Sequence, residues 1–253
     1  MVGVIISGVG GAMGQALSAR AKARPDCNVV AGIDPNFTGE DFPVFGSPAD
    51  CNVAADVIVD FSHPSALEGL LEFADNRGLP LVVATTGLSE SQVESVRQAA
   101  RSVPIFFSFN MSLGVNLMSA LAGVATKVLG GQFDIEIIER HHNRKLDAPS
   151  GTAIMLANAV SKQLPIPPDF VYERHSRREQ RASGEIGIHA IRGGTIVGEH
   201  ELLFAGQDET LSITHTAYSR DVFATGALAA AVFMFGKPPG LYDMNDLIAA
   251  GKT

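Results

Sequence analysis

The densest group of reactive side chains lies at residues 136–153, EIIERHHNRKLDAPSGTA. His141 and His142 leave a strand-like run, Lys145 follows in a turn, and Pro149 biases Ala148 toward an extended conformation before Ser150, Gly151 and Thr152 open a helix. A helix start points its first amides outward and its dipole favours negative charge, so a carboxylate fits there. Histidine gives or takes a proton near neutral pH; lysine supplies a fixed cation or, when desolvated, a proton. Neighbouring strand residues face opposite sides, so His141 and His142 are expected to do different work. Together these groups suit reduction of a small acid. The bland alternative is a cap-and-turn motif with solvated His and Lys. Zinc is not expected, because two adjacent histidines with Asp147 and no cysteine do not complete a four-ligand set.

A second constellation opens the chain. VGVIISGVGGAMG places Gly8, Gly10, Gly11 and Gly14, with Ala12 and Met13 among them, between an apolar strand and a helix, where backbone amides can approach a pyrophosphate. The spacing is G-x-G-G-x-M-G and departs from a strict G-x-G-x-x-G. Asp34 closes the next strand about 20 residues beyond Gly14, where an acidic side chain accepts hydrogen bonds from the adenine ribose hydroxyls. A 2′-phosphate would be repelled by that carboxylate unless a cation compensated, and residues 35–50 hold no Arg or Lys while adding Glu40 and Asp41. NADH is therefore the expected preferred cofactor, with NADPH as the second choice.

The elements that must position these groups are legible in the hydrophobic pattern. Continuous apolar runs at residues 2–7, 28–34, 55–62 and 79–87 alternate with helical segments at 15–24, 64–77 and 89–102, and another strand follows at 104–110. Strands of this kind are buried on both faces, which predicts a doubly wound parallel sheet. From Leu113 the texture changes to a small-residue helix over 113–129 and an alternating strand into His142. A helix over 152–163, a Pro-rich stretch and the basic run 173–181 precede three strands at 185–192, 195–205 and 210–218. This is an α+β second domain. Helices over 221–235 and 243–250 are expected to return to the first.

Composition narrows the partners. The 253 residues are 46% hydrophobic and 18% charged, and the net charge of -8 argues against nucleic acid. A small anion remains compatible where cations are concentrated locally. Cys27 and Cys51 are expected to be reduced, structural thiols. No basic, apolar leader pattern and no apolar run of about 18 residues is found, so no membrane association and a cytoplasmic location are expected.

The runs HHNRKLDAPSGTA and GVGGAMG, with DFSHPSA (60–66), ATTG (84–87), FNMSLGVN (109–116), RGGTIVGEHE (192–201) and GLYDMNDLI (240–248), resemble the dihydrodipicolinate reductase family of bacterial lysine and diaminopimelate synthesis. The likeness spans nearly the whole chain. It implies a Rossmann-like α/β fold in which residues 1–112 and 221–253 bind the dinucleotide. The inserted α+β domain, 113–220, is built on a mixed sheet for substrate binding and assembly of a homotetramer. By position, His141 would be the catalytic proton donor or acceptor and Lys145 a proton donor. His142, Ser150, Gly151 and Thr152 would hold a small dicarboxylate. The glycine loop, Asp34, Ala84, Thr85, Thr86, Ser108, Phe109, Asn110 and Met111 would line the cofactor. The implied reaction is dehydration and hydride reduction of 4-hydroxy-tetrahydrodipicolinate to tetrahydrodipicolinate.

Pro35 is a departure, standing where many members carry an arginine toward the 2′-phosphate, in agreement with the charge argument. Arg192 and Arg220 are candidates for the second substrate carboxylate, the domain interface or a surface ion pair. His63 fits either a place near the nicotinamide or a structural turn, and His189, His200 and His215 read as sheet-face residues. The run Arg174, Arg177, Arg178 and Arg181 reads as a solvated segment or as steering charge. Rival readings are a dehydrogenase of another small amino or keto acid and a non-catalytic nicotinamide sensor.

Overall fold

The computed structural model describes residues 1–39 and 41–251. The chain forms two compact units, Met1–Leu113 with the segment from Asp221 onward, and Gly114–Arg220. In the first unit the apolar runs become β1 (Val2–Ser7), β2 (Cys27–Ile33), β3 (Val44–Phe45), β4 (Val57–Asp60), β5 (Leu81–Val83) and β6 (Pro104–Phe107). A later strand, given below as β12, completes a parallel sheet. Alternate residues of each strand feed two cores. Val4, Ile6, Val57, Val59 and Phe106 face one side, where α1 (Ala12–Ala21) packs. Ile5, Ile58, Leu81 and Ile105 face the other, covered by α2 (Leu67–Arg77) and α3 (Glu90–Ala99). Burial on both faces explains why these strands are continuously apolar.

The second unit begins with α4 (Leu113–Leu129), whose first residue belongs to the first, and β7 (Asp134–His141). It continues through α5 (Gly151–Ser161), β8 (Asp169–Val171), β9 (Glu185–Arg192), β10 (Gly198–Ala205) and β11 (Thr210–Ala217). The sheet order is β11-β10-β7-β9-β8, antiparallel at β11/β10/β7 and parallel at β7/β9/β8. One face is apolar: Ile135, Ile137, Ile186, Ile188, Leu202 and Phe204 pack beneath α4 and α5. The opposite face is mixed: Arg140 pairs with Glu199 and Glu201, among Ile138, Ile191 and Leu203.

The chain then re-enters the first unit as α6 (Asp221–Met234), β12 (Gly240–Tyr242) and α7 (Met244–Ala249). The completed order is β12-β6-β5-β4-β1-β2-β3. Among the described residues no helix is long and apolar enough to cross a membrane.

Three strands escape the sequence pattern: β3, β8 and β12. Each has two or three residues and lies at a sheet edge, too short to show a period. The first helix starts at Ala12, earlier than the expected position 15, so Gly14 lies inside its first turn. A Cβ there would collide with the Gly8 carbonyl and the Val9 backbone. Glycine at 14 thus lets the helix leave close to β1. A short 3-10 turn, Pro64–Ala66, precedes α2.

Two helix glycines should respond to alanine with opposite signs. Gly69 on α2 has nothing within 4 Å of an added Cβ, whereas at Gly226 on α6 the Cβ would fall on the Met111 carbonyl oxygen. Gly69→Ala should raise stability by about 0.5–1 kcal/mol through helix propensity. Gly226→Ala should lower it by about 1–3 kcal/mol through overpacking. Denaturant midpoints of the two variants check this, and equal shifts would contradict the packing described.

Candidate active site

The carboxyl ends of the parallel strands carry a cavity of about 290 Å³. It is lined by Phe61 and Ser62 after β4, Ala84, Thr85 and Thr86 after β5, and Ser108 to Met111 after β6, with Met13 and Phe223 from α1 and α6. This is where ligands bind in open α/β sheets. Asp60 is fully buried and ties two of these turns together: Ser62 Oγ donates to it at 2.6 Å and Thr85 Oγ1 at 2.7 Å. Phe109, exposed at the rim, meets the Phe107 ring edge-on with centroids 4.9 Å apart.

Gly8, Gly10, Gly11, Ala12 and Gly14 form the turn that opens α1. Gly8 has a positive φ, and its amide donates to Ile33 O at 2.8 Å. Gly10 N donates to Asp34 Oδ2 at 3.0 Å, so the carboxylate lies directly against the turn. A Cβ on Gly11 would meet only the Gly8 carbonyl, at 3.3 Å, which leaves that amide edge approachable. A bare backbone turn at a helix start, an acidic group beside it and a cavity next along the sheet edge fit a dinucleotide. Glu40 lies outside the described residues; Asp41 pairs with Lys22 at 2.5 Å.

The second unit gathers the other reactive set at the end of β7. Period-two alternation aims Ile135, Ile137, Glu139 and His141 at the same face, and the burial alternates accordingly. Glu139 is 0% exposed. His141 Nδ1 lies 2.6 Å from Glu139 Oε2, and the Ser150 amide donates to Oε1 at 3.0 Å. Arg192 donates through both terminal nitrogens, at 2.7 Å each. Burial pushes the Glu139 carboxyl up, but the bonds from Arg192, His141 and Ser150 outweigh it and hold it below the ordinary carboxylate range.

Ser150 caps α5, its Oγ accepting from Ala153 N at 3.2 Å and sharing a 3.0 Å hydrogen bond with His200 Nε2. Lys145 Nζ pairs with Asp147 at 2.8 Å, and that bond lowers the Asp147 pKa. His142 is also lowered, first by desolvation, then by the positive charges of Arg144 and Arg220. Gly151 and Thr152 form the first turn of α5, and the Ala148–Pro149 peptide before it is cis.

The structure thus brings His141, Lys145, Ser150, Gly151 and Thr152 together within one unit, with the cavity residues assembled in the other. Arg192, a candidate for a substrate carboxylate, is instead the internal partner of Glu139 and also donates to Asp147 O at 2.7 Å. Arg174 and Arg181 are not a solvated run: they pair with Glu185, Glu136 and Asp134. His63 caps the Pro64–Ala66 turn and does not line the cavity.

Sequence reasoning missed Glu139, Phe61, Ser62 and Phe223, whereas His200, expected on a sheet face, lies on β10 with Ser150 as its partner. The signal for Glu139 was present, since a carboxylate two residues before His141 on an alternating strand must share its inward face. Among the described residues no group of three or more His, Cys, Asp and Glu could hold a metal ion.

Comparison with known proteins follows the same division. The family model described as "Dihydrodipicolinate reductase, N-terminus" matches residues 2–111, and "Dihydrodipicolinate reductase, C-terminus" matches residues 114–248. The chain is 50% identical over 251 residues to the 4-hydroxy-tetrahydrodipicolinate reductase of Caldanaerobacter subterraneus subsp. tengcongensis, covering 99% of this chain and 100% of that one. It is 45% identical over 249 residues to the enzyme of the same name from Clostridium tetani, covering 98% and 97%. A solved dipicolinate-bound dihydrodipicolinate reductase from Paenisporosarcina sp. superposes with a TM-score of 0.81 at 25% identity, covering 97% and 99%. An NAD(H)-bound scyllo-inositol dehydrogenase from Lactobacillus casei shares the fold, with a TM-score of 0.62 at 11% identity, covering 98% and 93%.

His200 should make stability depend on pH. Burial first, and then the neighbouring His141 charge, push it from its ordinary 6.5 down to about 4, with Glu139 opposing. Its folded pKa is depressed, so the unfolded chain binds the proton first. Stability from this residue is present above pH 6.5 and is lost as the pH falls toward 4. The loss amounts to at most about 3 kcal/mol. Melting temperatures of wild type and His200→Gln across this window test it: the variant should show a shallower decline, and parallel curves would contradict the assignment.

Proposed function

Because the chain belongs to the dihydrodipicolinate reductase family, we propose that it reduces 4-hydroxy-tetrahydrodipicolinate to tetrahydrodipicolinate in lysine and diaminopimelate synthesis. The carrying observation is the cluster at the end of β7, where His141, Lys145 and the start of α5 lie together behind the HH-x-x-K-x-D-A-P-S-G-T run. The balance is substrate, reduced nicotinamide and one proton giving product, oxidised nicotinamide and water. When bound, the reduced nicotinamide supplies the hydride.

The protein's own part is binding and proton delivery. His142 and the amides of Gly151 and Thr152 hold one carboxylate, with Ser150 fixing the helix start that presents them. Lys145 exchanges its contact with Asp147 for the substrate and, with His141, forms the loop that donates the proton. The 1–112 and 221–253 part binds the dinucleotide, and 113–220 binds substrate and forms the contacts of a homotetramer. The tetramer reading is supported by an exposed stripe on α4, Leu117, Leu121, Val124 and Val128, at coiled-coil spacing. A cytoplasmic location suits two buried cysteines that are free thiols.

NADH is the preferred cofactor in this reading. Asp34 stands against the glycine turn, and residues 35–50 offer no cation to a 2′-phosphate. The ratio of kcat/KM should favour NADH by about tenfold or more, a factor that 1.4 kcal/mol of charge repulsion supplies. A clear NADPH preference in parallel assays on enzymatically generated substrate would contradict this.

Lys145→Ala tests the site itself. It should lower kcat/KM by about a hundredfold while leaving NADH binding intact. Turnover that is absent in wild type, or undiminished in the variant, would sink the assignment.

A further inference from the structure

The inward face of β7 is apolar at Ile135 and Ile137 and then changes character at Glu139. A carboxylate here is costly unless it is paired, and a buried ion pair rarely stabilises more than an apolar substitute of similar volume. Packing alone would be served by another isoleucine. Instead four donors converge on this side chain: both Arg192 terminal nitrogens, the Ser150 amide and His141 Nδ1.

We propose that Glu139 is the positioning residue of the reaction, fixing the tautomer and plane of the His141 imidazole, with Arg192 as its counter-ion. This rests on the role given to His141 above. An ionised carboxylate only accepts hydrogen bonds, so the hydrogen between the two groups sits on Nδ1. Nε2 is left as the nitrogen able to exchange a proton with a ligand.

The rest of the surroundings agree. Gly198 on β10 offers bare backbone to this edge of the ring: an added Cβ would lie 3.1 Å from Nε2. The His200 ring meets His141 edge-on, with centroids 5.2 Å apart, and closes the side toward β10. Through the Ser150 amide the same carboxylate sets where α5 begins, so the imidazole and the anion-binding helix start share one anchor.

Histidine-selective 15N spectroscopy of the full chain reports the tautomer directly, at a pH where the imidazole is neutral. Wild type should carry the His141 proton on Nδ1, and Glu139→Gln should release a mixture containing the Nε2–H form. The same variant should lower kcat by about tenfold to a hundredfold. KM should stay within about threefold and NADH affinity should be unchanged. Glu139→Asp, which keeps the charge, should recover part of kcat.

A second variant, Glu139→Gln with Arg192→Met, removes both charges and strands neither, so it reports even where the single change prevents folding. An Nε2–H tautomer in wild type overturns the proposal without any variant. So does a folded Glu139→Gln enzyme with wild-type kcat. If wild type fails to reduce the substrate, or His141→Gln keeps full kcat, the functional assignment fails while the spectra still decide whether Glu139 fixes the ring.

Discussion

A single buried carboxylate constrains the second unit. Glu139 sits at an inward position of the central strand, at the boundary where the apolar rows of the sheet end and the reactive row begins. Its charge is kept by hydrogen bonds from β9, from the start of α5 and from its own strand. Each donor is thereby located: Arg192 is drawn under the loop, the helix start is pinned and the His141 ring is given a plane. Breaking a buried pair of this kind costs about 3–5 kcal/mol, because the surviving charge is stranded. The loop 142–149 can therefore be irregular while both of its ends are fixed.

The first unit uses a different economy of means. Among the described residues its cavity shows no buried ion pair and is built from turns at the carboxyl ends of parallel strands, cross-braced by the buried Asp60. Backbone proximity does the remaining work. Gly14 lets α1 start close to β1, and Gly10 lets Asp34 reach the turn. The two units thus differ in construction: bare backbone beside Asp34 at a helix start in one, and His141, Lys145 and Arg192 gathered near the start of α5 in the other.

Family membership, the parallel sheet and the reactive loop were all legible in the amino-acid order, because each depends on local chemistry. Continuous Val, Ile and Leu runs mark doubly buried strands, glycines mark a close backbone approach, and a dense His, Lys and Ser-Gly-Thr run marks a helix start with charge before it. The same local logic extends to Glu139, which shares the inward face of β7 with His141, but it went unread because a lone carboxylate in an alternating run looks like an exposed charge. Edge strands of two or three residues left no readable period.

What only the tertiary structure decided is partnership across the chain. Arg192 lies 53 residues from Glu139, and His200 lies 50 residues from Ser150; nothing in local spacing distinguishes them from surface residues. Sheet register brings them in: β9 pairs parallel to β7 and β10 antiparallel, which puts His200 opposite Glu139 and Arg192 opposite His141. The sequence by itself determined where titratable side chains cluster and where a helix start follows them. Register and burial determined which arginine is a counter-ion and which histidine is kept neutral, because those properties belong to the space between strands and to no single strand.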